Sequence, residues 1–116
     1  MNLQHSAAIE ICKRFDVEAE FPLPQEKIGI ALETLDLLPL NALRLQAEHG
    51  TCGWYVWGGE ALSSDPHFFQ PLHVSHLNEY AADIQKYLGL PPGWRVLLAP
   101  NYEDVWFDQS LLNTAG

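Results

Sequence analysis

Hydrophobic and polar positions alternate most regularly near the end of the chain, in the stretch Leu90 to Leu112. Two apolar runs flank a Pro-Asn pair there, and a period of two is typical of strands with one buried face. We predict a β-hairpin with strands 94–99 and 104–108 and a turn between Asn101 and Tyr102. The apolar face then carries Val96, Leu98, Val105 and Phe107, and the opposite face carries Arg95, Leu97, Asp104, Trp106 and Asp108.

This placement of the turn also predicts which residues pair across the hairpin. Ala99 would face Asp104, Val96 would face Phe107, and Arg95 would face Asp108. The pairing keeps every charge off the apolar face and sets opposite charges against each other, which favours it over a slipped register.

A second strand is predicted at 52–58, within the sequence CGWYVWGGE. Trp54 and Val56 point to one side of such a strand, and Tyr55 and Trp57 point to the other. Because both sides are apolar or aromatic, we expect a central strand that is covered on both faces.

Three helices are predicted, at about 6–15, 25–35 and 75–88, from apolar residues at helical spacing. The third has the most continuous apolar stripe. The second is ambiguous, since KIGIAL within it also fits a strand and Gly29 weakens a helix. The apolar stripe of the third helix consists of Leu77, Ala81, Ile84 and Leu88.

These elements predict an α+β fold with a small antiparallel sheet packed against helices. The length of 116 residues suits a single compact domain over 1–116. We divide it into an N-terminal helix and linker over 1–24 and a core over 25–112.

The charge balance narrows the classes of partner. The chain has 15 acidic and 6 basic residues, a formal net charge of -9. This argues against nucleic acid, whose phosphates need Lys and Arg, and against an anionic membrane surface. It suits a basic protein partner, although solubility alone also explains an acidic surface. The oligomeric state stays open.

Cellular location is inferred from what the sequence lacks. The N-terminus does not have the basic start and long apolar region of a signal peptide, and no run reaches the length of a membrane span. We therefore expect a cytoplasmic protein. Cys12 and Cys52 fit two buried free thiols in a reducing compartment, with a single disulfide as the alternative.

Metal and catalytic chemistry have only weak signals. His67, His73 and His76 could contribute to a divalent metal site, but no further ligand has a fixed spacing and no metal is favoured. A Cys52–His pair and a carboxylate pair among Glu103, Asp104 and Asp108 are the enzymatic alternatives. Neither has an oxyanion hole or a cofactor motif beside it, so we expect no enzyme and no cofactor.

The hairpin supplies the predicted binding surface. Trp is strongly enriched at binding hot spots, and Trp106 lies between two aspartates. The alternative is that Trp106 belongs to a second small core. We predict a surface formed by Tyr102, Glu103, Asp104, Trp106 and Asp108, with Arg95 as its structural support.

A rival hypothesis is a small-ligand or metal-binding domain that uses the other aromatic residues. Its site would be built from Trp54, Trp57, His73, Phe68 and Phe69.

The segments CGWYVWGGE, FFQPLHVSHL and YLGLPPGWRVLLAPNYEDVWFD together resemble a bacterial immunity-protein-like family of polymorphic toxin systems, formerly a domain of unknown function. The resemblance covers about residues 29–112 and leaves out the first helix. It implies an intracellular, non-enzymatic protein that binds and neutralises a toxin, and it carries over no catalytic residue. The acidic balance of this chain would fit a basic toxin.

Overall fold

A computed structural model of the chain describes residues 3–48, 50–60, 63 and 65–113. The fold is α+β, as predicted, with a six-stranded sheet, one α-helix and several short 3₁₀ helices. The helix α1 spans Leu3–Arg14. The strands are β1 (Lys27–Ile30), β2 (Leu40–Arg44), β3 (Thr51–Gly58), β4 (Gln70–His73), β5 (Trp94–Ala99) and β6 (Tyr102–Phe107), and the 3₁₀ helices are η1 (Leu32–Thr34), η2 (Val74–Glu79), η3 (Ala82–Tyr87) and η4 (Gln109–Asn113).

The sheet is mixed, which corrects the expectation of an antiparallel one. Its strands lie in the order β4-β1-β3-β2-β5-β6. β1 runs parallel to its neighbour β3, and the other four pairs are antiparallel. The prediction of a strand at 52–58 is confirmed by β3, which is flanked by β1 and β2.

One face of the sheet carries the main hydrophobic core. Alternate residues of the strands point to this face, where α1, η2 and η3 cover them. Burial of these apolar side chains is the main favourable term in folding. The fully buried members on the strands include Ile28, Ile30, Trp54, Val56 and Val96.

The opposite face carries a smaller cluster, which no α-helix of the described residues covers. Leu43 and Trp57 contribute from the strands, and Leu111 of η4 and the loop residues Phe68 and Phe69 pack on them. β3 is therefore covered on both sides, as its sequence predicted.

The helix predicted at 25–35 is wrong, and the rival strand is right. Ile28 and Ile30 alternate with Gly29 and point into the core with no exposed surface. Gly29 leaves room for the ring of Tyr55, since a Cβ there would lie 2.5 Å from it. The glycine that weakens a helix here allows close packing between two strands.

The predicted helix at 75–88 forms as two 3₁₀ helices, η2 and η3, instead of one continuous α-helix. Its apolar stripe is nevertheless buried, with Leu77 and Ile84 at 0% exposure. The break falls at Ala81, whose φ of -145° and ψ of 64° are not helical. The pattern thus predicted the buried side chains correctly and the backbone incorrectly.

The hairpin is confirmed, but its register is not. The turn consists of Pro100 and Asn101, so β6 starts at Tyr102, and Val96 pairs with Val105 instead of Phe107. Asn101 has a φ of 58°, in the left-handed region that asparagine tolerates. Moving the turn by one residue shifts the pairing by two, so each residue keeps its predicted face.

Candidate binding surface on the edge strand

The predicted binding residues lie on and just after β6, which is one of the two edge strands of the sheet. β6 is far more exposed than its neighbour β5. Tyr102 at its start is 54% exposed and Phe107 at its end is 47% exposed. We call Tyr102, Glu103, Asp104, Trp106 and Asp108 the β6 surface.

The strand divides the β6 surface between two sides of the sheet. Glu103 pairs with Leu98 and points toward the side of the main core. Asp104 pairs with Leu97, and Trp106 pairs with Arg95, on the opposite side. The prediction that charges stay off the core-facing side of the hairpin is therefore wrong at Glu103.

Glu103 is fixed in place by two partners. Its carboxylate accepts hydrogen bonds from the Arg14 guanidinium of α1 and from the Tyr87 hydroxyl of η3. The bond from Arg14, and then that from Tyr87, lowers the pKa of the Glu103 carboxyl. Burial and this same carboxylate raise the pKa of the Tyr87 hydroxyl well above its ordinary value. Glu103 thus joins the hairpin to both helical elements.

Asp108 is also held by neighbours. One oxygen accepts a hydrogen bond from Arg95 at 3.1 Å, and the other accepts one from the Ser110 hydroxyl at 2.6 Å. The bond from Ser110, followed by that from Arg95, lowers the pKa of the Asp108 carboxyl. The predicted contact between Arg95 and Asp108 is confirmed, although Arg95 directly faces Trp106 across the strands.

Trp106 and Asp104 lie on the face of β6 that points away from the main core. The Arg95 guanidinium lies 5.5 Å from the centre of the Trp106 ring, which is half-buried. Within the described ranges, the Asp104 carboxylate has neither a hydrogen bond nor an ion pair. Among the described residues, Asp104 is therefore the carboxylate of the β6 surface whose charge is not paired with a cation.

A groove of about 610 Å³ adjoins the β6 surface on the core-facing side. It lies between the hairpin turn, η3 and the Ala7 region of α1. Asp83 and Lys86 line it from η3, and Tyr102 and Glu103 line it from β6. With both signs of charge on its walls, the groove has no clear preference for an anion or a cation.

The candidate metal ligands His67, His73 and His76 do not form a metal centre in the part of the chain that the structure describes. The rings of His73 and His76 lie 6.2 Å apart, and His76 instead contacts the carboxylate of Glu79 at 2.9 Å. His67 lies in the loop before β4, where its backbone N–H donates to the Asp65 carboxylate. No group of three metal-ligating side chains occurs within the described residues.

The rival aromatic site is also not assembled. Trp54 is fully buried in the main core, whereas Trp57 lies in the cluster on the opposite face. Phe68 and Phe69 do pack with Trp57, beside an apolar pocket of about 280 Å³, but His73 is on β4. The five residues therefore belong to separate regions.

Both cysteines are free and buried, which settles the open question of a disulfide. Burial raises the pKa of the Cys52 thiol. A nucleophilic cysteine needs a lowered pKa, so this environment does not activate Cys52.

Two features of the structure were not predicted from the sequence. One is the contact of Arg14 and Tyr87 with Glu103, which joins residues far apart in the chain and has no local signal. The other is Arg44, a buried cation at the end of β2. Arg44 is the only charged residue in the mostly apolar run LLPLNALRL. That isolation was the available signal for a buried, hydrogen-bonded cation.

None of the helices in the described part of the chain is both long and apolar enough to span a membrane. No curated protein and no solved structure matches the chain at a significant level. The family model of the Imm33-like domain matches residues 7–108, which includes most of α1 and the whole sheet. The chain therefore belongs to the Imm33-like domain family, a family of immunity proteins.

Proposed function

We propose that this chain is a non-enzymatic immunity protein that binds a cognate toxin and neutralises it in the cytoplasm. The observation that carries the proposal is the match to the Imm33-like family over residues 7–108. The partner of an immunity protein is by definition another protein, so its function depends on an exposed binding surface.

The charge of the chain favours a basic toxin. A net charge of -9 attracts a cationic partner over long distances and increases the rate of encounter. Nuclease toxins that bind phosphate backbones need such a cationic surface. An acidic immunity protein would compete directly for it.

The proposed contact region is the β6 surface. Trp106 offers an aromatic anchor of the type found at binding hot spots, and Asp104 offers a carboxylate without a partner among the described residues. Glu103 and Asp108 are held in fixed positions by Arg14, Tyr87, Arg95 and Ser110, and the two arginines offset their charge. Fixed groups lose little entropy on binding, which favours specific recognition.

The test is protection of living cells. Each candidate toxin found among the genes next to this one is expressed from an inducible promoter in a heterologous bacterium, with or without this chain. We expect the chain to restore growth and to form a complex with that protein on a sizing column. Growth arrest that persists while the chain is expressed and folded would contradict the proposal. If the chain restores growth by acting chemically on the toxin or on what the toxin produces, and no complex forms, the non-enzymatic mechanism is contradicted.

A further inference from the structure

The two edges of the sheet differ in their capacity to accept another strand. β4 has four residues and contains Pro71, which has no N–H to donate. A short edge strand with proline is a common protection against unwanted pairing. β6 is the other edge, and it is longer than β4 and contains no proline.

β6 has the regular geometry of a paired strand along its whole length. Its six residues contain no proline, and all of them pair with β5 in one continuous register without a bulge. As far as the structure describes the chain, no strand lies beyond β6. After Phe107 the chain turns over the face of the sheet, where Leu111 packs on the cluster of Leu43 and Trp57. The outer row of backbone N–H and C=O groups is thus available for pairing.

The acidic side chains of β6 decide which strand can pair with it. A second copy has the same Glu103 and Asp104 on its edge strand and also has a charge of -9. Like charges across neighbouring strands are unfavourable, so this edge disfavours self-association. An extended segment with lysine or arginine avoids this repulsion and pairs with Asp104, which has no partner among the described residues.

We propose that β6 binds an extended basic segment of the partner protein by strand addition, which continues the sheet by one strand. The inference rests on the proposed function for the identification of that partner as a toxin. Backbone hydrogen bonds would supply much of the affinity in this mode of recognition. Asp104 and Trp106, on one face of β6, would contact alternate side chains of the added strand and supply specificity.

The edge can be tested without the toxin, with a short capped peptide of alternating lysine and valine. Binding is measured by NMR titration of the labelled protein, together with amide hydrogen exchange. We expect peptide-dependent protection of the β6 amides that point away from β5. N-methylation of every second peptide residue, on the edge that faces β6, should weaken binding by about tenfold or more, because it removes the backbone donors. A matched peptide with glutamate in place of lysine should not bind.

A pair of charge reversals locates the site. Asp104→Lys should weaken binding of the lysine–valine peptide by about tenfold, because it places a like charge next to the added strand. Glu33→Lys changes the net charge equally, but Glu33 lies in η1, where Leu32 contacts Gln70 of the opposite edge strand. This control should bind nearly as well as the parent protein.

Several results would overturn the inference. The N-methylated peptide could bind as tightly as the unmodified one, or no binding could occur at millimolar peptide. Asp104→Lys and Glu33→Lys could weaken binding equally, or the peptide could protect amides away from β6. Concentration-dependent dimers that protect β6 without peptide would show that a second copy is the occupant. A chain that protects cells but fails the peptide test loses this inference alone. A chain that passes the peptide test but does not protect cells loses the proposed function alone.

Discussion

The guanidinium of Arg44 lies over the indole ring of Trp54, with 5.8 Å between Cζ and the ring centre. Both side chains donate to the carbonyl of Leu88, Arg44 at 3.2 Å and Trp54 at 3.1 Å. Arg44 also donates to the carbonyls of Cys52, Glu20 and Leu90. A single buried cation therefore holds the N-terminal linker and the chain after η3 against the middle of the sheet.

Replacement of Arg44 by methionine should destabilise the protein strongly. Burial disfavours the charged form of Arg44 and lowers its pKa. Methionine removes that charge but leaves buried carbonyls without donors, each at a cost of about 1–3 kcal/mol. We expect Arg44→Met to lower the free energy of unfolding by about 3 kcal/mol or more, measured by urea denaturation. Arg95→Met is the matched control at a partly exposed arginine, and an equal loss in both variants would contradict the role given to Arg44.

Gly53 should be much less tolerant of alanine than Gly50. Both have φ values in the left-handed region, 92° and 82°. A Cβ at Gly53 would lie 2.0 Å from the carbonyl oxygen of Leu45, whereas a Cβ at Gly50 meets nothing within 4 Å. The left-handed conformation alone costs an alanine about 1–2 kcal/mol. We expect Gly50→Ala to lose about that amount and Gly53→Ala clearly more, in thermal or urea unfolding. Similar losses would mean that the backbone at Leu45 moves aside at no cost.

Glu103 should contribute stability that is lost in acid. Its pKa is lowered in the folded protein, so its contribution is complete above the pKa of the unfolded chain, about 4.3. It is lost as the pH falls through the lower, folded pKa. We expect the parent protein to lose more stability than Glu103→Gln between pH 6 and pH 3, by urea denaturation at each pH. Parallel pH profiles for the two proteins would show that Arg14 and Tyr87 do not stabilise the ionised carboxylate.

Tyr87 should contribute stability that is lost in alkali. Its pKa is raised in the folded protein, so its contribution is present below the unfolded pKa of about 10 and is lost as the pH rises toward the folded value. Tyr87→Phe removes the hydroxyl that donates to Glu103 and should cost about 1 kcal/mol at pH 7. Between pH 9 and pH 11, the variant should lose less stability than the parent protein. A steeper loss in the variant would contradict the assignment.

The hairpin shows what alternation can and cannot predict. Val96 and Leu98 were assigned to the correct face because the side of a strand depends only on whether a position is odd or even. The register depends on the turn, which is centred between Pro100 and Asn101 instead of between Asn101 and Tyr102. That two-residue error in pairing left Glu103 out of the predicted strand and hid its position on the core-facing side.

The segment around Gly29 failed for a different reason. Its apolar spacing fits a helix and a strand almost equally, and the deciding contact is with Tyr55 on another strand. Similarly, Leu77 and Ile84 were correctly predicted as buried, but the non-helical backbone at Ala81 has no signal in the apolar pattern. The partners of Glu103 are also distant in sequence, so the candidate site could be placed on β6 but its fixed and free carboxylates could not be distinguished.

The most direct test of the account is the affinity of a toxin that this chain neutralises for variants of the β6 surface, measured by calorimetry. Trp106→Ala and Asp104→Lys should each raise the dissociation constant by about tenfold or more, which corresponds to about 1.4 kcal/mol. Glu33→Lys, with the same change of net charge as Asp104→Lys, should bind nearly as tightly as the parent protein. If the folded Trp106→Ala and Asp104→Lys variants bind like the parent, the toxin does not use the β6 surface and the account is wrong.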